Sequence, residues 1–243
     1  MPEGPSIVIL KEETEQFAGQ KVISVSGNSA IDLERIEGKV VEAIKTWGKH
    51  YLICFDDFTV KIHLLMFGTY RINERKETTP RLSLVFSNGE LNFYTCSVKI
   101  LEGNINLHYD WEEDVMNIKW SPEKAKQSLG KIPSQMICDA VLDQNIFSGV
   151  GNIIKNEVLY RCHVHPESLT GKIPHDKIVE IIDECSIYSF EFLEWKKKFE
   201  LKKHWLAHTK KTCLRCSLPF IKKHTGIKKR RSFFCINCQQ LYI

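Results

Sequence analysis

The sequence predicts an α+β chain in three parts, and three observations carry that prediction. Residues up to about 115 read as one helix followed by strand-like runs. Helical patterning with N-cap signals follows Trp120. Four cysteines are bunched at the C-terminus, where they mark a small stapled module. The predicted domains are 1–117, 118–205 and 206–243.

Each element has a local reason. Ile7, Leu10, Thr14 and Phe17 recur at helical spacing, and Gly19 can end that helix. Val40 to Thr46, Tyr51 to Phe55 and Phe58 to His63 are apolar, β-prone runs separated by short polar breaks. Arg81 to Phe86 and Glu90 to Thr95 flank Ser87-Asn88-Gly89, a hairpin signal because Asn and Gly tolerate positive φ. Ser121-Pro122 supplies an N-cap and a proline at the first helical position. Ile132-Pro133-Ser134 predicts a second helix running through Leu142. Gly149-Val150-Gly151-Asn152 breaks the chain before a helix over Ile153 to Arg161. A fourth helix is predicted from His175 to Phe192, with Ile178, Ile181, Ile182 and Cys185 on one face.

Composition excludes several classes. With 43% hydrophobic and 26% charged residues, the chain is that of an ordinary globular protein. No apolar run approaches the ~20 residues of a bilayer-spanning helix. The start, Met1-Pro2-Glu3-Gly4-Pro5, lacks a signal-peptide pattern, so a cytoplasmic location with reduced thiols is expected. The charge is unevenly spread. Residues 195–243 hold eleven Lys and three Arg against the single acid Glu200, a net +13. The whole chain carries +4, so the first 194 residues carry −9. A basic segment of this kind is an electrostatic footprint for a polyanion. The interleaved Trp205, Phe220, Phe233 and Phe234 argue against a disordered tail.

Cys213-x2-Cys216 and Cys235-x2-Cys238 stand 18 residues apart, the spacing of structural zinc sites. Two thiolate pairs fill all four positions of a tetrahedral ion, so one closed, structural zinc is expected. Between the pairs, Lys222 to Arg231 holds six basic residues, suited to DNA phosphates. Cys54, Cys96, Cys138, Cys162 and Cys185 are expected to be ordinary buried thiols.

Four motifs, in order, give a resemblance spanning the whole chain: Met1-Pro2-Glu3-Gly4-Pro5, Gly48-Lys49-His50-Tyr51-Leu52, Leu142-Asp143-Gln144 with Gly149-Val150-Gly151-Asn152, and the cysteine finger. The sequence resembles the formamidopyrimidine-DNA glycosylase / endonuclease VIII family. The resemblance implies an N-terminal helix with an antiparallel β-sandwich, a helix-two-turn-helix domain and a C-terminal β-hairpin zinc finger. It also implies a monomer that acts on double-stranded DNA containing oxidised bases or abasic sites, away from any membrane, in a bacterial-type, nucleoid-associated setting.

The implied roles fall on particular residues. Removal of Met1 exposes the secondary amine of Pro2, the nucleophile toward C1′ of the damaged nucleotide. Glu3 is the proton shuttle. Lys49 holds the phosphate beside the lesion; taken alone it reads as a solvated hairpin lysine. Asn152 holds the kinked backbone, or caps its helix, or does both. Arg230, five residues before Cys235, grips a phosphate, with Arg231 as the competing candidate. The run His63-Leu64-Leu65-Met66-Phe67-Gly68 aligns with the family's void-filling loop, so His63, Leu65, Met66 and Phe67 become DNA contacts. Without the resemblance that run reads as core strand. No catalytic metal is implied, because an imine acts as the electron sink.

The branch follows from Thr95-Cys96-Ser97-Val98-Lys99-Ile100, which lacks the arginine of the formamidopyrimidine branch and so favours oxidised pyrimidines. Formamidopyrimidine or 8-oxoguanine excision is the alternative. Ser6 stands where the family opening usually has a second glutamate, which keeps a non-catalytic damaged-DNA binder open as a further alternative. A zinc-ribbon RNA binder is a third reading, but it leaves the Pro-Glu start and the Gly-Lys hairpin unexplained.

Overall fold

The structure, a computed structural model, describes residues 2–243; Met1, and with it the expected methionine removal, lies outside the described residues. Two compact units divide between Asp110 and Trp111.

The first unit opens with α1 (Gly4–Thr14), which starts from an extended Glu3 and has Pro5 in its first turn. Its face of Ile7, Leu10 and Thr14 is buried, the spacing read from the sequence. A short 3-10 turn carries Phe17 into the core, and Gly19 follows with φ +78. Eight strands follow: β1 (Ser24–Ser26), β2 (Ala43–Trp47), β3 (His50–Cys54), β4 (Phe58–His63), β5 (Thr69–Ile72), β6 (Leu82–Phe86), β7 (Gly89–Tyr94) and β8 (Ser97–Glu102). They form two four-stranded antiparallel sheets, ordered β1-β6-β7-β5 and β2-β3-β4-β8. Ile7, Leu10 and Phe17 share one apolar core with inward residues of both sheets, among them Tyr51, Val60, Leu84 and Phe93. This is the expected helix on a β-sandwich.

The second unit contains α2 (Pro122–Gly130), α3 (Ile137–Ala140), α4 (Asn152–Arg161), α5 (His175–Lys197) and a hairpin of β9 (Ile221–Thr225) and β10 (Arg230–Phe234). Ser121 caps α2 as expected, accepting from Lys124 N at 3.2 Å. The helix expected from Ile132 to Leu142 shrinks to the single turn of α3. The reason is lateral bonding. Ile137 N and Cys138 N donate to Ser168 O (2.8 Å) and Pro166 O (3.1 Å), while Gln135 O accepts from Thr170 N at 2.9 Å. Backbone groups engaged sideways are lost to an i→i+4 ladder.

No helix among the described residues is long and apolar enough to cross a membrane. The five scattered cysteines are buried.

Candidate functional site

Glu3, the N-cap residue of α1, is fully buried and its side chain does not cap the helix. Pro2 beside it is half-buried. Helix α1 packs on β2 and β3, the strands joined by Gly48-Lys49. That two-residue turn has φ +52 at Gly48 and no positive φ at Lys49, the pattern of a type II′ turn, which requires glycine first. A lysine is thereby displayed at the tip of a rigid ribbon.

The ribbon is fastened by an aromatic cluster that sequence reasoning missed. Trp47 Nε1 donates to Asp110 O at 2.7 Å, and His50 Nδ1 lies 3.2 Å from the Tyr109 hydroxyl. The His50 ring meets His63 across the β3–β4 pair, with centroids 5.3 Å apart. Burial, followed by the charges of Lys61, His63 and Lys49, pushes His50 down to about 3. Burial, with Lys49 and Lys61, lowers His63 as well. Both imidazoles are therefore neutral near pH 7, beside the cations Lys49 and Lys61.

Those shifts have a sign. The unfolded chain protonates His50 near 6.5, while the native state resists until about 3. The stabilisation is thus complete above 6.5 and is lost as pH falls toward 3. We expect urea denaturation midpoints to drop from pH 7 to pH 5. His50→Gln should flatten that dependence by up to about 1.4 kcal/mol per pH unit below pH 6. An unchanged slope would mean that His50 titrates normally.

Strand β4 ends at His63, and the next residues turn away. Leu64 is buried, but Leu65, Met66 and Phe67 are exposed, Phe67 by 76%. Leu65 has φ +54, and Gly68 N donates to Leu64 O at 2.7 Å. A Cβ on Gly68 would lie 2.1 Å from that oxygen, so the turn demands glycine. The core-strand reading of this run fails. Three consecutive apolar side chains instead stand in solvent on a tight turn that follows His63.

In the second unit, Gln144 ties the two turns between α3 and α4. Its Nε2 donates to Leu142 O and Val150 O, both at 3.1 Å, and its Oε1 accepts from Gly149 N at 3.2 Å. Asn152 is the first residue of α4 after an N-cap at Gly151, so the capping reading of its side chain does not hold. Its Nδ2 donates instead to Arg231 O at 3.0 Å. That carbonyl also accepts from Lys155 Nζ and Asn156 Nδ2, both at 3.3 Å. The structure therefore brings Asn152 and the Arg230-Arg231 pair together. Arg230 is half-buried and Arg231 exposed.

Buried charges weld the basic hairpin to the helices. Asp139 accepts from Ile227 N (2.7 Å) and Lys228 N (3.1 Å) at the hairpin tip, where Gly226 has φ +70. Glu157 accepts from Leu206 N, Ala207 N and His208 N at 2.6–3.0 Å. Burial raises its carboxyl and these three N–H groups pull it back. Lys155 donates to Ser232 Oγ at 2.8 Å. Charges in a helix usually mark a wet face, so no local pattern marks these residues as buried anchors. The only hint was the absence of one apolar stripe in α4.

The four C-terminal cysteines converge, with all four Sγ atoms within 4.8 Å of one another. Cys213 and Cys238 are 3.8 Å apart, and Cys216 and Cys235 3.4 Å. A tetrahedral ion with Zn–S near ~2.3 Å places its sulfurs about 3.8 Å apart. The cluster therefore fits a structural zinc.

Family models described as the formamidopyrimidine-DNA glycosylase N-terminal domain and H2TH domain match residues 1–97 and 113–188. Endonuclease 8-like 3 of Xenopus laevis is 27% identical over 90% of this chain and 38% of its own length. The chain thus spans little more than a third of that relative. Formamidopyrimidine-DNA glycosylase of Lactococcus lactis subsp. cremoris is 27% identical over 99% of this chain and all of its own. A crystal structure of the Lactococcus lactis protein with DNA containing an oxidised pyrimidine superposes with a TM-score of 0.85, at 23% identity over 98% of this chain and 100% of that one.

Proposed function

The chain belongs to the formamidopyrimidine-DNA glycosylase / endonuclease VIII family, and from that premise we propose that it is a bifunctional DNA glycosylase and abasic-site lyase that removes oxidised bases, pyrimidines in preference, through an imine on Pro2. The observation that carries this reading is a half-buried Pro2 and a fully buried Glu3 at the start of α1, the helix packed on β2 and β3, whose connecting turn holds Lys49. Each belongs to a motif of the family opening or of its Gly-Lys hairpin.

The chemistry assigns one role to each group. The unprotonated Pro2 amine attacks C1′ as the bond from C1′ to the base breaks, and the base leaves with that electron pair. A terminal amine titrates near ~7.7–8.0, so a nucleophilic fraction exists at neutral pH. Glu3 takes up the proton that the Pro2 nitrogen sheds and delivers it to the ring oxygen as the sugar opens and the iminium forms. The iminium then accepts electrons as the C2′ proton departs and the 3′ phosphate is expelled. A second elimination expels the 5′ phosphate and leaves a one-nucleotide gap. Lys49, beside neutral His50 and His63, is the cation for the phosphate next to the lesion. Leu65, Met66 and Phe67 fill the space of the extruded nucleotide. Asn152 and Arg230 hold the bent backbone, with Arg231 as the more exposed alternate. Zinc, when bound by Cys213, Cys216, Cys235 and Cys238, holds the hairpin in shape and takes no part in the reaction. The proposed working divisions remain 1–117, 118–205 and 206–243.

The test is product analysis on duplexes carrying an oxidised pyrimidine, 8-oxoguanine or an abasic site. Phosphate-ended gaps from the pyrimidine and abasic duplexes are expected. Cleavage confined to 8-oxoguanine would reverse the substrate preference. Binding without cleavage of any substrate would favour the non-catalytic reading that Ser6 raises.

A further inference from the structure

Helix α5 ends in a turn whose residue choice the fold does not require. Phe199 N donates to Lys196 O at 3.0 Å and Glu200 N to Trp195 O at 2.8 Å, which closes the helix as a Schellman motif. Phe199 occupies the left-handed position of that motif, with φ +58. Glycine is the usual residue there, because a Cβ costs roughly 1–2 kcal/mol in this region. The phenylalanine recovers nothing by burial, since it is 96% exposed. Neither turn geometry nor core packing accounts for the ring.

The frame beneath it is stiff. Trp195 and His204 stack at 4.2 Å with planes 4° apart, one on each side of the turn. Arg161 sits 5.8 Å from the Trp195 ring centre and pairs with Glu184 and Glu191 at 2.6 and 2.7 Å. Lys203 pairs with Glu200 at 2.8 Å. The surroundings are cationic. Segment 196–204 holds five lysines against the one acid, Glu200, and Lys197, Lys198, Lys202 and Lys203 are exposed.

We propose that Phe199 and its lysines form a single-stranded DNA contact, in which an unpaired base stacks on the ring and the flanking phosphates meet Lys198 and Lys202. An aromatic face within a basic surface is the chemistry of single-strand binding, because every base has a π-face and every linkage a charge. A paired base inside a duplex has no face to offer. The backbone of the turn is already fixed by its two hydrogen bonds, so only the torsions of the ring itself are lost on binding, which supplies a reason to keep the residue. The proposal rests on the reading of the chain as a protein that acts on DNA, and extends it to unpaired nucleotides.

The test compares the full chain with its Phe199→Gly and Phe199→Trp variants on undamaged duplexes with and without an oligothymidine extension. The extension is expected to tighten wild-type binding by about tenfold. Phe199→Gly should lose that gain while melting no lower than wild type, because glycine suits the turn. Phe199→Trp should keep the gain, and its indole fluorescence should be quenched by the extension. A Phe199→Gly protein that retains the gain overturns the proposal, as does an unquenched tryptophan. Dependence on Phe199 confined to an RNA extension overturns it equally. The oligonucleotides carry no lesion, so failure of the Pro2 chemistry would leave this result standing.

Discussion

Replacing Cys235 with serine is expected to lower affinity for lesion duplex by about two orders of magnitude, while the unit ending at Asp110 keeps its own cooperative unfolding. A structural zinc site contributes roughly 10–16 kcal/mol of folding free energy, as much as a whole small domain possesses. The two cysteine turns are tied to the end of α4 by polar contacts, Arg215 donating to Tyr160 O at 2.7 Å and Gln239 to Val164 O at 2.9 Å, but they bury little apolar surface. Their core is Tyr160, Ala207 and the buried Cys213 and Cys235, with few apolar neighbours. Asp139 and Glu157 keep the hairpin tip and the 206–208 segment near the helices. Even so, β10 runs from Arg230 to Phe234, directly into Cys235, so loss of the sulfur site is expected to disturb the strand that carries Arg230 and Arg231. A chelator should reproduce the loss, and zinc should restore it in wild type alone. Binding that survives both treatments would remove the finger from DNA contact.

Glu3→Gln is expected to slow strand cleavage by about 10²–10⁴-fold with lesion binding unchanged. The substitution preserves volume and removes only the transferable proton. Glu3 is fully buried at the start of α1, so a smaller residue would confuse catalysis with helix entry. Single-turnover rates separate the two effects. Weakened binding with an intact rate would make Glu3 a structural residue.

Much of this architecture was legible in the sequence. Phe58 to His63 coincides with β4, and Ser121-Pro122 opens α2 as expected. The cysteine spacing predicted the convergence of four sulfurs. Strands β1, β5 and β8 were not read. Strand β1 has only three residues, and β5 keeps no buried face, so neither carries a period-2 signal. The helix expected over 132–142 failed because tertiary partners captured its backbone, which no local pattern reveals. In the candidate site, the motifs named Glu3, Lys49, Asn152 and the finger arginines as candidates. What they could not locate was the support: Trp47, His50 and Tyr109 beneath Lys49, and Asp139, Lys155 and Glu157 beneath the hairpin. These contacts span up to 89 residues of chain, as between Asp139 and Lys228. The resemblance covered the groups proposed to touch DNA, whereas the groups that position them follow from packing.

The central claim is that the N-terminal proline is the nucleophile. Borohydride added during reaction with abasic-site duplex reduces an imine to a stable amine, and mass spectrometry of the digested adduct locates it. The account predicts a covalent protein–DNA adduct on the peptide beginning at Pro2, lost in Pro2→Gly. An adduct on a lysine such as Lys49, or no adduct while the strand is still cut, would contradict it.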